Sequence, residues 1–182
     1  MHLHQKSDYW FDDTVDQASF CTLSQYLPNN VISVPLTRLD EYSFHSTLAA
    51  SLIPGWIADA DGFDTARAKR LLDSYRAVRH LLVGAWYPLL PYSRQPDAWM
   101  AVQFHRPDLD GGMILAWRRP ECLYPSVEVV LHGLNPTALY DLHSETSPEH
   151  KRLPGAALMR QLVLTLPEKH SSELLLYKKV KR

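Results

Sequence analysis

Asp8, set between Ser7 and Tyr9, is the residue whose type and place carry the most chemistry. A carboxyl group can protonate a departing oxygen and then, once ionised, draw a proton from water. Such work needs a second acid facing the first. Two carboxyl groups on either side of a glycosidic bond are one such arrangement, about 5 to 5.5 Å apart when the partner attacks the sugar carbon. Asp12, Asp13 and Asp16 are the nearest substitutes for that partner, and they follow Asp8 too closely to face it across a cleft unless the loop folds back.

The other reactive side chains point to less. His2 and His4 form a His-x-His pair of the kind that begins some metal sites, yet no further His or Asp follows at ligand spacing, so no metal is expected. Ser7, Ser24 and Ser46 stand outside any Gly-x-Ser-x-Gly elbow, which removes the usual sign of a serine nucleophile. Cys21 and Cys122 lack Cys-x-x-Cys spacing and read as buried, reduced thiols of a cytoplasmic protein. Of the tryptophans, Trp10 and Trp56 are candidates for stacking on a sugar ring. Trp86, Trp99 and Trp117 read as core, the last two within strands.

A chain of 182 residues can bury one substantial core or two smaller ones. Net charge is −1, so no positive field would gather phosphates and a nucleic-acid partner is not expected. Hydrophobic residues make up 46% and mean hydropathy is −0.24, with no apolar run long enough to span a membrane and no basic, apolar leader at the N-terminus.

The period of the pattern changes near residue 90, which sets the expected domain boundary at 92/93. Before it the chain reads as helical and irregular. Thr14-Val15-Asp16-Gln17 has the spacing of a capping box, predicting a helix over 14–26 that ends at Pro28-Asn29-Asn30. Val31 to Val34 is a short buried-strand run, and a second helix is predicted from Tyr42 to Leu52. A third, from Asp64 to Leu82, carries Ala68, Leu71, Leu72, Tyr75, Val78 and Leu82 on one face and Lys69, Arg70, Arg76 and Arg79 on a solvated one.

After Tyr92 the period becomes two. Strands are predicted at 99–104, 112–118, 127–131, 138–143, 161–166 and 173–180, which suggests a β-sandwich. Met100, Val102 and Phe104 alternate with Ala101 and Gln103. Asp110-Gly111-Gly112 and Asn135-Pro136 supply the turns.

Several short runs then occur in a telling order: Ser7-Asp8-Tyr9, Leu23 to Pro28, Tyr42 to Ser46, Tyr87-Pro88-Leu89, Trp99 to Phe104, Arg118-Arg119-Pro120 and His132 to Pro136. Together they resemble the C-terminal part of glycoside hydrolase family 36, the α-galactosidase or melibiase family. The resemblance implies an α+β chain in which residues 1–92 are the C-terminal segments of a (β/α)8 TIM barrel and residues 93–182 are an antiparallel β-sandwich. A truncated barrel strand at Leu3 to Ser7 would deliver Asp8 to the catalytic face, since such barrels place reacting side chains at the C-terminal strand ends. By the resemblance Asp8 is the general acid/base. In the family the nucleophile belongs to a Lys-x-Asp motif on an earlier barrel strand, and no such earlier motif is expected here.

Three positions depart from the family: Lys6 and His45 stand where arginines are usual, and Ala85 where an aspartate is usual. The resemblance thus implies a glycosidase-derived chain, inactive alone, that meets an α-galactoside only when missing barrel segments complete the site. Two alternatives stay open: an accessory carbohydrate-binding sandwich, or a subunit completing a barrel with a partner chain or a second copy of itself. No cofactor is implied, because an acid/base pair and water suffice.

Overall fold

The computed structural model describes residues 4–5, 12–145 and 149–181. They form two compact units, Met1–Val83 and Gly84–Arg182. The second unit thus begins ahead of residue 93, because Ala85–Pro88 is already a strand of its sheet.

The first unit is built on three parallel strands in the order β1 (His4–Gln5), β2 (Ile32–Leu36), β3 (Ser51–Pro54). Ile32, Ser33, Val34 and Leu36 are all buried, as expected of a parallel strand covered on both faces. Pro35 has no amide to donate. It faces Ile53 of β3 and lies beyond the pairs that β1 makes, His4 with Ile32 and Gln5 with Ser33, so it breaks no ladder on that side. Helix α1 (Asp13–Ser24) connects β1 to β2, α2 (Glu41–Ser46) connects β2 to β3, and α3 (Thr65–Val78) follows.

Each helix differs from its predicted span for a local reason. Asp12, not Thr14, caps α1: its Oδ1 accepts from the amides of Thr14 at 2.9 Å and Val15 at 3.2 Å. Gln17 does not close a capping box; its Nε2 donates to Ser46 Oγ at 3.0 Å and ties α1 to α2. Helix α2 stops at Ser46, six residues short of Leu52. The hydroxyls of Ser46 and Thr47 turn back onto the carbonyls of Tyr42 at 2.7 Å and Ser43 at 3.0 Å, and the chain then pairs as β3. In α3, Ala68, Leu71 and Val78 are buried and the four basic residues are exposed, as the stripe predicts. The helix ends at Val78 rather than Leu82, although Leu81 and Leu82 remain buried in the turn beyond it.

The second unit holds β4 (Ala85–Pro88), β5 (Trp99–Arg106), β6 (Gly111–Arg118), β7 (Ser126–Val129), β8 (Leu139–Ser144), β9 (His150–Pro154), a single helical turn α4 (Gly155–Leu158), β10 (Leu162–Thr165) and β11 (Ser171–Lys179). Six strands make one antiparallel sheet, β4-β5-β6-β11-β8-β9, and β10-β7 make a second. Residues of both sheets share one core, with Ala101, Ile114, Ala116, Tyr140 and Leu142 from the larger and Val129, Leu162 and Leu164 from the smaller. All six predicted strands are present within a few residues, with β4 and β9 added. On β5 it is Trp99 and Ala101 that join this core, while Met100, Val102 and Phe104 are buried outside it. Both phases of that strand are therefore out of water, which alternation in sequence does not convey.

A polar network lies inside this core. Gln103, fully buried, donates from Nε2 to the His132 carbonyl at 2.9 Å and to Tyr177 Oη at 2.7 Å, and its Oε1 accepts from the His132 amide at 2.8 Å. Every polar atom of that amide side chain is used, which offsets its desolvation. Burial pushes the Tyr177 phenol well above its ordinary range, and burial likewise holds His105, 3.1 Å from Tyr177 Oη, below its own. Asp110, at φ 51°, makes the left-handed turn into β6, and Gly112 then lies flat against Tyr177. A Cβ on Gly112 would sit 2.1 Å from the Phe104 carbonyl and 2.4 Å from Tyr177 Oη. Gly112→Ala should therefore cost about 1–3 kcal/mol by overpacking, read as a lower midpoint in urea unfolding, whereas an unchanged midpoint would mean that the strand pair is looser than described.

Candidate functional site

In parallel α/β sheets, ligands meet the chain beyond the carboxyl ends of the strands. The three such ends in the first unit lead into distinct segments. After β1 comes the segment that carries Asp8, Tyr9 and Trp10; these residues, with Lys6 and Ser7, lie outside the described residues. Beyond β2 come Thr37 and Arg38, and beyond β3 come Gly55 and Trp56.

The second and third ends are fastened together. The Gly55 amide donates to the Leu36 carbonyl at 2.8 Å, and a Cβ on Gly55 would come within 3.2 Å of Thr37 Cγ2. This close approach sets the start of the loop in which Trp56 is half-buried, its ring 6.0 Å from that of Phe63. The Trp56 indole N–H is buried without a hydrogen-bond partner. An indole fixed at a strand end can offer its face to an apolar surface of a ligand.

Arg38 reaches from the end of β2 to Asp13, at the start of α1, and forms an ion pair with its carboxylate. Ser43 Oγ, on α2, donates to the same carboxylate at 3.3 Å and to Asp40 Oδ2 at 2.9 Å, while Asp40 Oδ1 accepts from the Ser43 amide at 2.8 Å and caps α2. Three segments are thus joined through one buried acid. Burial pushes Asp13 above the ordinary aspartate value, and the guanidinium of Arg38 and the hydroxyl of Ser43 oppose the rise.

Of the three acids nearest to Asp8 in sequence, two have structural work and the third is buried. Asp12 caps α1, Asp13 pairs with Arg38, and Asp16 is buried on α1. His45 is buried beside Phe44, and Ala85 is an exposed residue of β4 opposite His105. Ser46 bonds within the helices. Cys21 and Cys122 are both fully buried. Trp99 and Trp117 are buried, and Trp99 donates to the Tyr124 carbonyl at 2.8 Å, a core role as expected. His4 belongs to β1, and His2 lies outside the described residues.

No protein-family model and no curated protein sequence matches the chain. Solved structures do. A GH36 α-galactosidase from Geobacillus stearothermophilus, AgaA, in a substituted form in complex with raffinose, superposes at a TM-score of 0.70 with 17% identity over 93% of this chain and 25% of its own. The fold of this chain is that of the C-terminal portion of a GH36 α-galactosidase. AgaB from the same organism gives 0.69 with 19% identity, covering 93% of this chain and 24% of its own. The galactosidase domain of the α-galactosidase–sucrose kinase AgaSK gives 0.69 with 16% identity and 93% and 25% coverage. This chain spans about a quarter of the length of those proteins. At such identities the likeness is one of fold. Among the described residues no helix is long and apolar enough to cross a membrane.

The Asp13 environment makes a pH-dependent prediction. A native value above 3.8 means that the folded chain holds the proton more tightly than the unfolded one, so the contribution of Asp13 to stability is full below pH 3.8 and is lost as pH rises through the native value. Asp13→Asn should flatten that part of the stability profile, measured as urea midpoints on the acid side of neutrality. A parallel, undiminished slope in the variant would show that Asp13 does not titrate in this way.

Proposed function

We propose that the chain is the C-terminal part of a retaining glycoside hydrolase acting on terminal α-galactosides, in which Asp8 is the general acid/base. The observation that carries this reading is the superposition of 93% of the chain on GH36 α-galactosidases, which runs through both compact units. In this reading residues 1–92 are the last segments of a (β/α)8 barrel and residues 93–182 its appended β-sandwich. The three parallel strands with intervening helices support the first assignment, and the two antiparallel sheets with one core support the second.

The chemistry follows from the place of Asp8 in the sequence, three residues beyond the end of β1. Beside an ionised partner its pKa would rise, so that it is protonated when the bond to the departing sugar oxygen breaks. Once the partner has become a glycosyl ester the repulsion is gone, and the same group, now a base, draws a proton from water. Trp56, at the end of β3 on the far side of β2, would offer the apolar face of its indole to the galactosyl ring. Arg38, held by Asp13, would fix the loop between them.

Lys6-Ser7-Asp8 itself has the Lys-x-Asp spacing of the family's nucleophile, so a second reading makes Asp8 the attacking group. The collinear runs that come after it favour the acid/base assignment. Of the nearest candidates for an opposing acid, Asp12 and Asp13 are already engaged in the fold and Asp16 is buried on α1, so the opposing carboxylate would come from outside these segments. Burial of both cysteines, as expected of thiols that pack as small apolar groups, is in keeping with a reducing, cytoplasmic setting.

The purified chain should show no turnover of an aryl α-galactoside above the uncatalysed rate. Joined behind the barrel segments of AgaA in place of the equivalent portion, it should restore hydrolysis, and Asp8→Asn in that chimera should lower kcat by about 10²- to 10⁴-fold. Hydrolysis by the lone chain that Asp8→Asn abolishes, or a chimera indifferent to Asp8→Asn, would contradict the proposal.

A further inference from the structure

The second unit brings together three metal-ligating side chains that the proposed glycosidase reaction does not use. Asp141 and His143 lie two apart on β8, so they project to one face, while Leu142 between them is buried in the shared core. Across the ladder His143 directly opposes His150 of β9. One donor atom from each of Asp141, His143 and His150 falls within 4.8 Å of the others. The two imidazole rings stack at 4.7 Å, and His150 Nδ1 is 2.8 Å from Asp141 Oδ2. His143 Nδ1 is buried and has no hydrogen-bond partner.

We propose that Asp141, His143 and His150 form a binding site for a divalent transition-metal ion of the zinc type, at the β8–β9 edge of the six-stranded sheet. Two imidazole nitrogens and a carboxylate oxygen are the donor set this class of ion favours, with water completing a tetrahedron. Ligand atoms around zinc are separated by about 3.3 Å, from bond lengths near 2.0–2.1 Å. Rotation of side chains on an edge strand closes the remaining gap, and His150 is more than half exposed. An ion there takes up the lone pair of His143 that the chain leaves unused and replaces the His150–Asp141 contact with two bonds. Arg152, whose Nε lies 3.7 Å from Asp141 Oδ1, is 67% exposed and free to turn into solvent. A cavity of about 470 Å³ beside the pair, lined in part by His143, His150 and Glu173, gives water and ion access. The ion would clip an edge strand whose exposed, largely charged side chains contribute little packing of their own.

The test is titration of the chelator-stripped, full-length chain with Zn²⁺ against a chromogenic competitor, with Co²⁺ absorption as a second reading. The wild type should bind one equivalent that raises its thermal midpoint, and Co²⁺ should show the visible bands of a four-coordinate ion. His143→Ala and His150→Ala should each weaken binding by about tenfold or more and remove the Co²⁺ bands. His143→Ala removes a ring whose Nδ1 bonds nothing, and His150→Ala alters an exposed position, so both should keep the wild-type far-ultraviolet circular dichroism. No uptake by the wild type, or uptake that both folded variants retain unchanged, would overturn the proposal.

Discussion

A parallel strand cannot complete its hydrogen bonds through a tight hairpin; it needs neighbours delivered by crossovers. In the first unit β2 has both, β1 on one side and β3 on the other, and the helices between them exist to make those returns. The outer edges of β1 and β3 have no strand partner among the described residues. Such edges are where a sheet of this kind continues or is covered. This one requirement links the short β1, the buried run of β2 and the superposition on a quarter of a much longer fold.

From that constraint the arrangement at the strand ends follows. Three strands running the same way put their carboxyl ends on one edge, so the segments holding Asp8, Arg38 and Trp56 all leave from it. The chain holds two of the three departures together by short-range chemistry: the Gly55 amide on the Leu36 carbonyl, and Arg38 on Asp13. With Asp13 buried and Arg38 partly in solvent, the pair contributes less to net stability than to fixing geometry, because desolvating the carboxylate consumes much of its Coulomb energy. Its cost is tolerated where position matters.

The second unit is self-sufficient in a different way. Its ladders β4-β5, β5-β6 and β8-β9 join strands adjacent in sequence, β11 closes the sheet between β6 and β8, and buried arginines find carbonyls within reach. Arg118 donates to the carbonyls of Cys122 and Leu166 at 3.0 Å, and Arg119 to those of Ser93 and Gln95 at 2.9 Å. Those two arginines open one of the runs that carry the family resemblance, and the structure gives them a physical reason: they bind loops to the sheet. Much of this is legible in sequence. The six strands and the α3 stripe follow from period alone, and Asp110 takes the left-handed conformation its turn requires. The features that escape a sequence reading have identifiable causes. β4 ends in Pro88 and β9 reads His-Lys-Arg, both edge strands without an apolar alternation. Leu52 reads as helical by pattern, but pairing with Val34 claims it for a strand. His143 and His150 are brought opposite each other by register, which no spacing rule in one strand reveals. Asp8 stands out by resemblance rather than by any local physical sign.

If Asp8 moves the proton in a retaining α-galactosidase, its loss must weigh most on substrates whose leaving group needs that proton. In the barrel-completed chain, kcat/KM of Asp8→Asn and wild type should be compared on a nitrophenyl α-galactoside, whose departing oxygen needs little protonation, and on raffinose, whose departing oxygen needs it fully. A small loss is expected on the first substrate and a loss larger by orders of magnitude on the second. Equal losses on both would assign Asp8 to nucleophilic attack or to structure, and would contradict its role as proton donor.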